Sequence, residues 1–121
     1  MNARELRIGN FVDRNGLMEI ISINENKVRF YDHYNRMKTK HWFKLDEFTK
    51  SIPLTEDFLL KLGFKKWNTK ELIYSKKKLI LHKRKDGWVL NRRTKVIIFV
   101  HQLQNLYFAL TGEELELKEG K

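Results

Sequence analysis

The chain has 121 residues with 25 Lys and Arg against 15 Asp and Glu, a formal net charge of +10. It has no cysteine and one proline, which excludes disulfides and thiolate metal sites. No apolar run approaches the roughly 20 residues of a membrane helix. Met1-Asn2-Ala3-Arg4-Glu5 leads into no apolar signal-peptide core, so the expected compartment is the cytoplasm. Hydrophobic residues at 41% and aromatics at 12% are enough for a core, which sets the chain apart from disordered ones.

The charge is concentrated. Residues 65–95 hold twelve Lys or Arg against Glu71 and Asp86, while residues 1–64 carry +2 and residues 96–121 carry −2. A localised field of this kind attracts polyanions and speeds their encounter.

Residues 6–50 read as a small antiparallel β-module. Leu6 to Val12 is a strand that reaches Asn15-Gly16, the preferred centre of a type I′ turn, and returns as Leu17 to Ile23. That turn would set Val12 opposite Glu19 and Phe11 opposite Ile20. Asn24-Glu25-Asn26 makes the next turn, Lys27 to Asp32 a third strand and Thr39 to Leu45 a fourth. Short strands with turns every eight to twelve residues suggest an SH3-like barrel, a common binding platform. Asp46-Glu47-Phe48 reads as a short helical turn.

Thr55 is a good N-cap, Glu56 and Asp57 suit the first turn, and Phe58, Leu59 and Leu62 supply an apolar face. Gly63 and Phe64 fit the C′ and C″ positions of a Schellman ending. The helix should run from Glu56 to about Leu62. Strands are expected at Glu71 to Ser75 and Leu79 to Lys85, with Asp86-Gly87 as a hairpin turn. The register puts Lys85 opposite Trp88, Arg84 opposite Val89 and His82 opposite Asn91. One face then collects Leu79, Leu81, Trp88 and Leu90. The other collects Ile80, His82, Arg84, Val89, Asn91 and Arg93.

Val96-Ile97-Ile98-Phe99-Val100 has no alternation and reads as a strand covered on both faces. It leads into a helix with Leu103, Leu106, Tyr107 and Leu110 on one face, and His101 at the junction suits a cap. Leu115 and Leu117 alternate with charges as in a short edge strand. The fold class expected is therefore α+β: a small SH3-like antiparallel module over residues 1–54, then an α-β-β-β-α unit with an antiparallel sheet over residues 55–121.

No catalytic signature is present. His33, His41, His82 and His101 form no metal-ligand spacing, so neither metal nor cofactor is expected. The glycines are isolated turn or cap residues rather than a phosphate loop. Asp46 and Glu47 with Lys50 faintly resemble a nuclease-like acidic pair, but adjacency does not aim two carboxylates at one point. A non-enzymatic protein is expected.

What remains is a basic constellation: Lys76, Lys77, Lys78, His82, Arg84, Lys85, Arg92 and Arg93, with Trp88 nearby. Lys and Arg neutralise phosphates, and Arg adds forked hydrogen bonds and stacking. Six such contacts would give log K a slope of about −4 to −5 against log salt. Trp88 falls on the core face. Tyr31, Tyr34, Arg29, Arg36, Lys38, Lys40 and Trp42 form a weaker basic-aromatic set on the first module.

Three blocks carry a resemblance: Leu6 to Val12, Ile52 to Phe64, and Val100 to Leu115. Together they resemble a family of small proteins of phages, prophages and other mobile elements of Bacteroidetes-type bacteria. The family brings no catalytic residues to transfer, and the segment between the second and third blocks is unusually basic in this chain. What the resemblance implies, taken with the charge, is an anti-CRISPR protein acting in the bacterial host cell. It would bind an RNA-guided effector nuclease or its guide RNA through the basic hairpin. Two other readings stay open: a general RNA- or DNA-binding accessory protein, and a structural adaptor that binds an acidic protein.

Overall fold

The computed structural model describes residues 6–25, 27–44, 49–67, 72–77, 79–90 and 96–118. Among these residues, mostly antiparallel strands with two helices make the class α+β. Two units are formed: Met1–Ile52 with Val100–Glu114, and Pro53–Phe99 with Leu115–Lys121. The final helix was expected in the second half of the chain, but it belongs with the N-terminal strands.

The first unit holds β1 (Phe11–Asp13), β2 (Leu17–Asn24), β3 (Lys27–Asp32), β4 (Met37–Lys38), β5 (Phe43–Lys44) and β6 (Lys50–Ser51). They make one sheet in the order β4-β3-β2-β1-β6, with β5 also paired to β3. Leu6, Val12, Ile20, Val28 and Phe30 form its buried cluster, with Met18 and Phe43 packed against them. The first hairpin closes one residue away from expectation, because Asp13 pairs with Leu17 and Val12 with Met18. Arg14, Asn15 and Gly16 thus form a three-residue loop, with Asn15 at φ 55 and Gly16 at φ 134. The Gly16 N–H donates to Asp13 Oδ1 at 3.1 Å. The slip sets Val12 beside Met18, which adjoins the core, rather than beside Glu19.

The expected fourth strand is divided. Thr39 to Trp42 lies between β4 and β5 outside any strand, and there Arg29 Nε and Nη2 donate to Thr39 O at 3.2 Å. The expected turn at Asp46-Glu47-Phe48 lies outside the described residues.

Helix α2 (Val100–Thr111) packs against β1. Its buried residues are Val100, His101, Leu103, Gln104 and Tyr107. Leu110 is 54% exposed, so the expected Leu103–Leu106–Tyr107–Leu110 face is displaced towards Val100 and Gln104. A buried amide takes a place that hydropathy reserved for leucine. His101 is a buried residue of the first turn rather than a cap. Arg7 fastens the same region: its guanidinium pairs with Glu114, donates to Gln104 O at 3.1 Å and lies 4.6 Å from the Phe108 ring centre.

The second unit begins with α1 (Glu56–Lys61), which follows its sequence signals closely. Thr55 Oγ1 accepts from Phe58 N at 3.2 Å. Phe64 N donates to Leu59 O at 3.0 Å and Gly63 N to Leu60 O at 3.1 Å, with Gly63 at φ 89. These two bonds make the Schellman ending. The sheet then runs through β7 (Lys65–Lys66), β8 (Ile73–Lys76), β9 (Leu79–Arg84), β10 (Gly87–Leu90) and β11 (Val96–Ile97), in the order β11-β10-β9-β8-β7.

Strand β11 is an edge strand and Ile98 beyond it is 46% exposed, which corrects the reading of Val96 to Val100 as a strand covered on both faces. Leu115 is buried but lies in no strand, and Leu117 does not extend it into an edge strand.

The register of β9 and β10 differs from expectation by two residues. Arg84 pairs with Gly87, Lys83 with Trp88 and His82 with Val89, so Lys85 and Asp86 make the turn. The reason lies at Gly87. A Cβ there would meet Val96 Cγ1 at 2.5 Å and Ile97 O at 2.7 Å. Glycine is therefore required inside the strand, where β11 approaches closely, rather than in the turn. A shift of two keeps every side chain on its face. Leu79, Leu81, Trp88 and Leu90 are accordingly buried together. Trp88 Nε1 donates to Leu54 O at 3.1 Å, and its ring meets Tyr74 edge-on at 5.6 Å.

Candidate nucleic-acid interface

The five-stranded sheet presents two unlike faces. Pairing puts Tyr74, Leu81, Lys83 and Trp88 on one side, and α1 supplies that side with Glu56 and Leu62 O as polar partners. Tyr74 Oη donates to Glu56 Oε1 at 2.5 Å. That bond holds the Glu56 carboxyl below the ordinary carboxylate range against desolvation, and Lys66 adds to the effect. Burial, then the bond to Glu56, pushes the Tyr74 phenol up to about 12.

The opposite face collects Lys65, Ile73, Ser75, Ile80, His82, Arg84 and Val89. Lys65 and Arg84 are exposed, and Ile73, Ser75, Ile80 and His82 are half-buried. A shallow depression of about 340 Å³ is lined by Leu72, Ile73, His82, Lys83 and Arg84. The ion pairs among the described residues use Arg7, His33 and Lys66; none uses Lys65, Arg84 or Lys85.

The expected site residues divide. His82, Arg84 and Lys85 lie together, the first two on the open face and the third at the adjoining turn. Lys77 is exposed at the β8–β9 turn, with φ 55. Lys76 has other work: its ammonium donates to Leu62 O at 2.8 Å and closes the end of α1. Lys78, Arg92 and Arg93 lie outside the described residues, as does the expected pairing of His82 with Asn91; His82 pairs with Val89.

Sequence reasoning missed Lys65 and Trp67. Trp67 is 61% exposed, its backbone N–H donates to Ile73 O at 2.9 Å and its Nε1 donates to Ser75 Oγ at 2.5 Å. These bonds lay the indole on the open face, over the edge formed by Ile73 and Ser75. The signal available was the run Lys65-Lys66-Trp67 at the start of the basic segment, where no strand was expected.

In the first unit the weaker basic-aromatic set is divided: the Arg29 guanidinium lies 5.9 Å from the Trp42 ring centre and Tyr31 meets His33 edge-on at 4.8 Å, while Tyr34, Arg36, Lys38, Lys40 and Trp42 are exposed. Among the described residues no group of three or more His, Asp or Glu is placed to hold a metal ion. No described helix is long and apolar enough to cross a membrane. Chemically, the open face offers cations to phosphates and an aromatic ring to a planar partner. No protein-family model, no curated protein and no solved structure matches the chain.

Proposed function

We propose that the protein is a non-enzymatic nucleic-acid-binding module that meets phosphates with the open face and basic turns of its second unit. The observation that carries this is a group of exposed cations outside any described ion pair, Lys65 and Arg84 on the open face and Lys85 at the adjoining turn. On the opposite face Leu79, Leu81, Trp88 and Leu90 are buried, and Lys66, Lys76 and Lys83 lie against Glu56, Leu62 O and the Trp88 ring. Lys77 supports it, adding an exposed cation at the β8–β9 turn of the same unit.

In the specific form that the family resemblance suggests, the nucleic acid is the guide or target strand of an RNA-guided effector nuclease. The protein then acts in the cytoplasm of a bacterial host as an anti-CRISPR inhibitor. The first unit we read as SH3-like: β1, β2 and β3 form a meander, with β5 returning to β3 and β6 to β1, and this supports the reading. Gel-shift titrations of RNA and DNA across a salt series test the binding. The expected result is a linear loss of log K with log salt, and a slope shallower by about 1.5 to 2 for the double variant Arg84→Glu/Lys85→Glu. Absence of any shift at low salt would overturn the proposal. Capture of a guided nuclease on the tagged protein from host cells would support the inhibitor form, and unchanged nuclease activity at saturating protein would exclude it.

A further inference from the structure

We infer that the open face takes single-stranded nucleic acid, with the Trp67 indole as the platform on which a base stacks. The inference rests on the nucleic-acid reading above and adds to it the strandedness and the residue that selects it. Trp67 follows β7, and its N–H···O bond to Ile73 continues the pairing of Lys66 with Tyr74. Its side chain therefore shares the face of Ile73, Ser75 and Ile80. The bond from Nε1 to Ser75 Oγ tethers the polar edge of the ring, while the residue remains 61% exposed. A large apolar surface left in water but already held in place is a poor core residue and a good anchor, because little side-chain entropy remains to be lost on binding.

Its surroundings match one class of ligand. Strand pairing sets Lys65 opposite Ser75, and Ile73 opposite His82. Arg84 lies two residues further along the same face. Lys65 thus stands two residues before the ring on the same edge, and Arg84 lies two strands away on the same face, with the half-buried Ile73 and Ile80 on the strands between β7 and β10. Lys65 and Arg84 lie on this face and Lys77 and Lys85 at the turns beside it, and the single acid among the described residues from 65 to 90 is Asp86. That balance suits a polyanion. A duplex keeps its bases stacked on one another and offers no base face to a ring lying on a sheet, whereas an unpaired strand does. Ile73, whose carbonyl accepts the Trp67 N–H, also lines the depression of about 340 Å³. An acidic protein would satisfy the same cations but offers few planar faces, whereas every base of a single strand has one.

The test uses the full chain in anisotropy titrations with a labelled oligo(dT), an oligo(U) and a DNA duplex of equal phosphate number. The expected result is tighter binding of both single strands than of the duplex. Trp67→Ala should weaken single-strand binding by about tenfold and leave duplex binding within about twofold, and Trp67→Phe should restore most of the loss. Thermal melts of both variants check that the fold is kept. Quenching of wild-type tryptophan fluorescence by oligo(dT), lost in Trp67→Ala, gives a second measurement independent of affinity. Equal binding of single strand and duplex, unchanged by Trp67→Ala, would overturn the stacking inference and leave the nucleic-acid reading standing. No binding to any of the three at low salt would overturn that reading and this inference with it. Poly-L-glutamate competing as well as oligo(dT) at equal charge would also overturn it, in favour of an acidic protein partner.

Discussion

Gln104 completes the backbone of Phe11. Its Oε1 accepts the Phe11 N–H at 2.8 Å while its Nε2 donates to Gly9 O at 2.8 Å, so one side-chain amide serves the first strand as a neighbouring strand would. Asn10 Nδ2 donates to Asn105 Oδ1 at 2.9 Å alongside. Replacement by Ala takes that acceptor from a buried N–H and that donor from a carbonyl. Each such loss costs about 1–3 kcal/mol, so Gln104→Ala should lower stability by about 2–4 kcal/mol in urea denaturation. Gln104→Glu keeps the acceptor but offers Gly9 O no donor, and should cost at least as much near neutral pH.

The Tyr74–Glu56 bond predicts a stability profile with two flanks. A carboxyl depressed by folding stabilises above its unfolded value, near 4.5, and that contribution is lost as pH falls through the folded value. A phenol raised by folding stabilises fully below 10.0, and the contribution is lost as pH rises from there to about 12. Urea midpoints should therefore fall on the acid side below about 4.5 and on the alkaline side above 10. Tyr74→Phe should flatten both flanks and cost about 1 kcal/mol at pH 7. A profile identical to wild type would show that the bond does not form in solution.

Gly87 should tolerate no side chain. The nearest obstacle to a Cβ includes the backbone oxygen of Ile97, which cannot swing aside as a side chain would. Gly87→Ala should destabilise by about 1–3 kcal/mol. It should also speed amide exchange at Ile97, which pairs with Trp88 across β10 and β11. Gly63→Ala provides a contrast, because the nearest atom there is the flexible ammonium end of Lys76 at 3.0 Å and the strain comes from φ 89.

At Lys77 stability and binding should move in opposite directions. Relieving the left-handed backbone with Lys77→Gly or Lys77→Asn should raise stability by about 0.5–1 kcal/mol. Loss of one phosphate contact should make the salt slope shallower by about 0.7–0.9. Thermal melts and salt titrations on the same preparations check both halves. A variant that gains stability with no change in slope would remove Lys77 from the interface.

Much of the second unit was legible one residue at a time. Thr55, Gly63 and Phe64 announced both ends of α1, and alternation from Leu79 to Arg84 sorted the two sheet faces even though the register was off by two. Half of the candidate site, His82, Arg84 and Lys85 among it, could be read the same way. Lys76 could not, since its partner Leu62 O lies fourteen residues away and no local pattern distinguishes a capping lysine from a binding one. Trp67 was illegible because the strand it follows is two residues long, too short for alternation to register.

By itself the sequence determined what depends on near neighbours: the caps of α1, the positions of turns to within one or two residues, which side chains of β9 and β10 share a sheet face, and where the positive charge is concentrated. These follow from backbone preference and a period of two, and need no knowledge of distant residues. Tertiary structure decided what depends on partners far along the chain. It assigned α2 to the first unit through Gln104, whose polar label hides a buried place until Gly9 and Phe11 are brought to it. It moved Gly87 from turn to strand because β11 needed the space of a missing Cβ. It turned Lys76 towards α1 and laid Trp67 across the open face. Each is a choice between equally acceptable local states, made by a contact that exists only after the chain has folded.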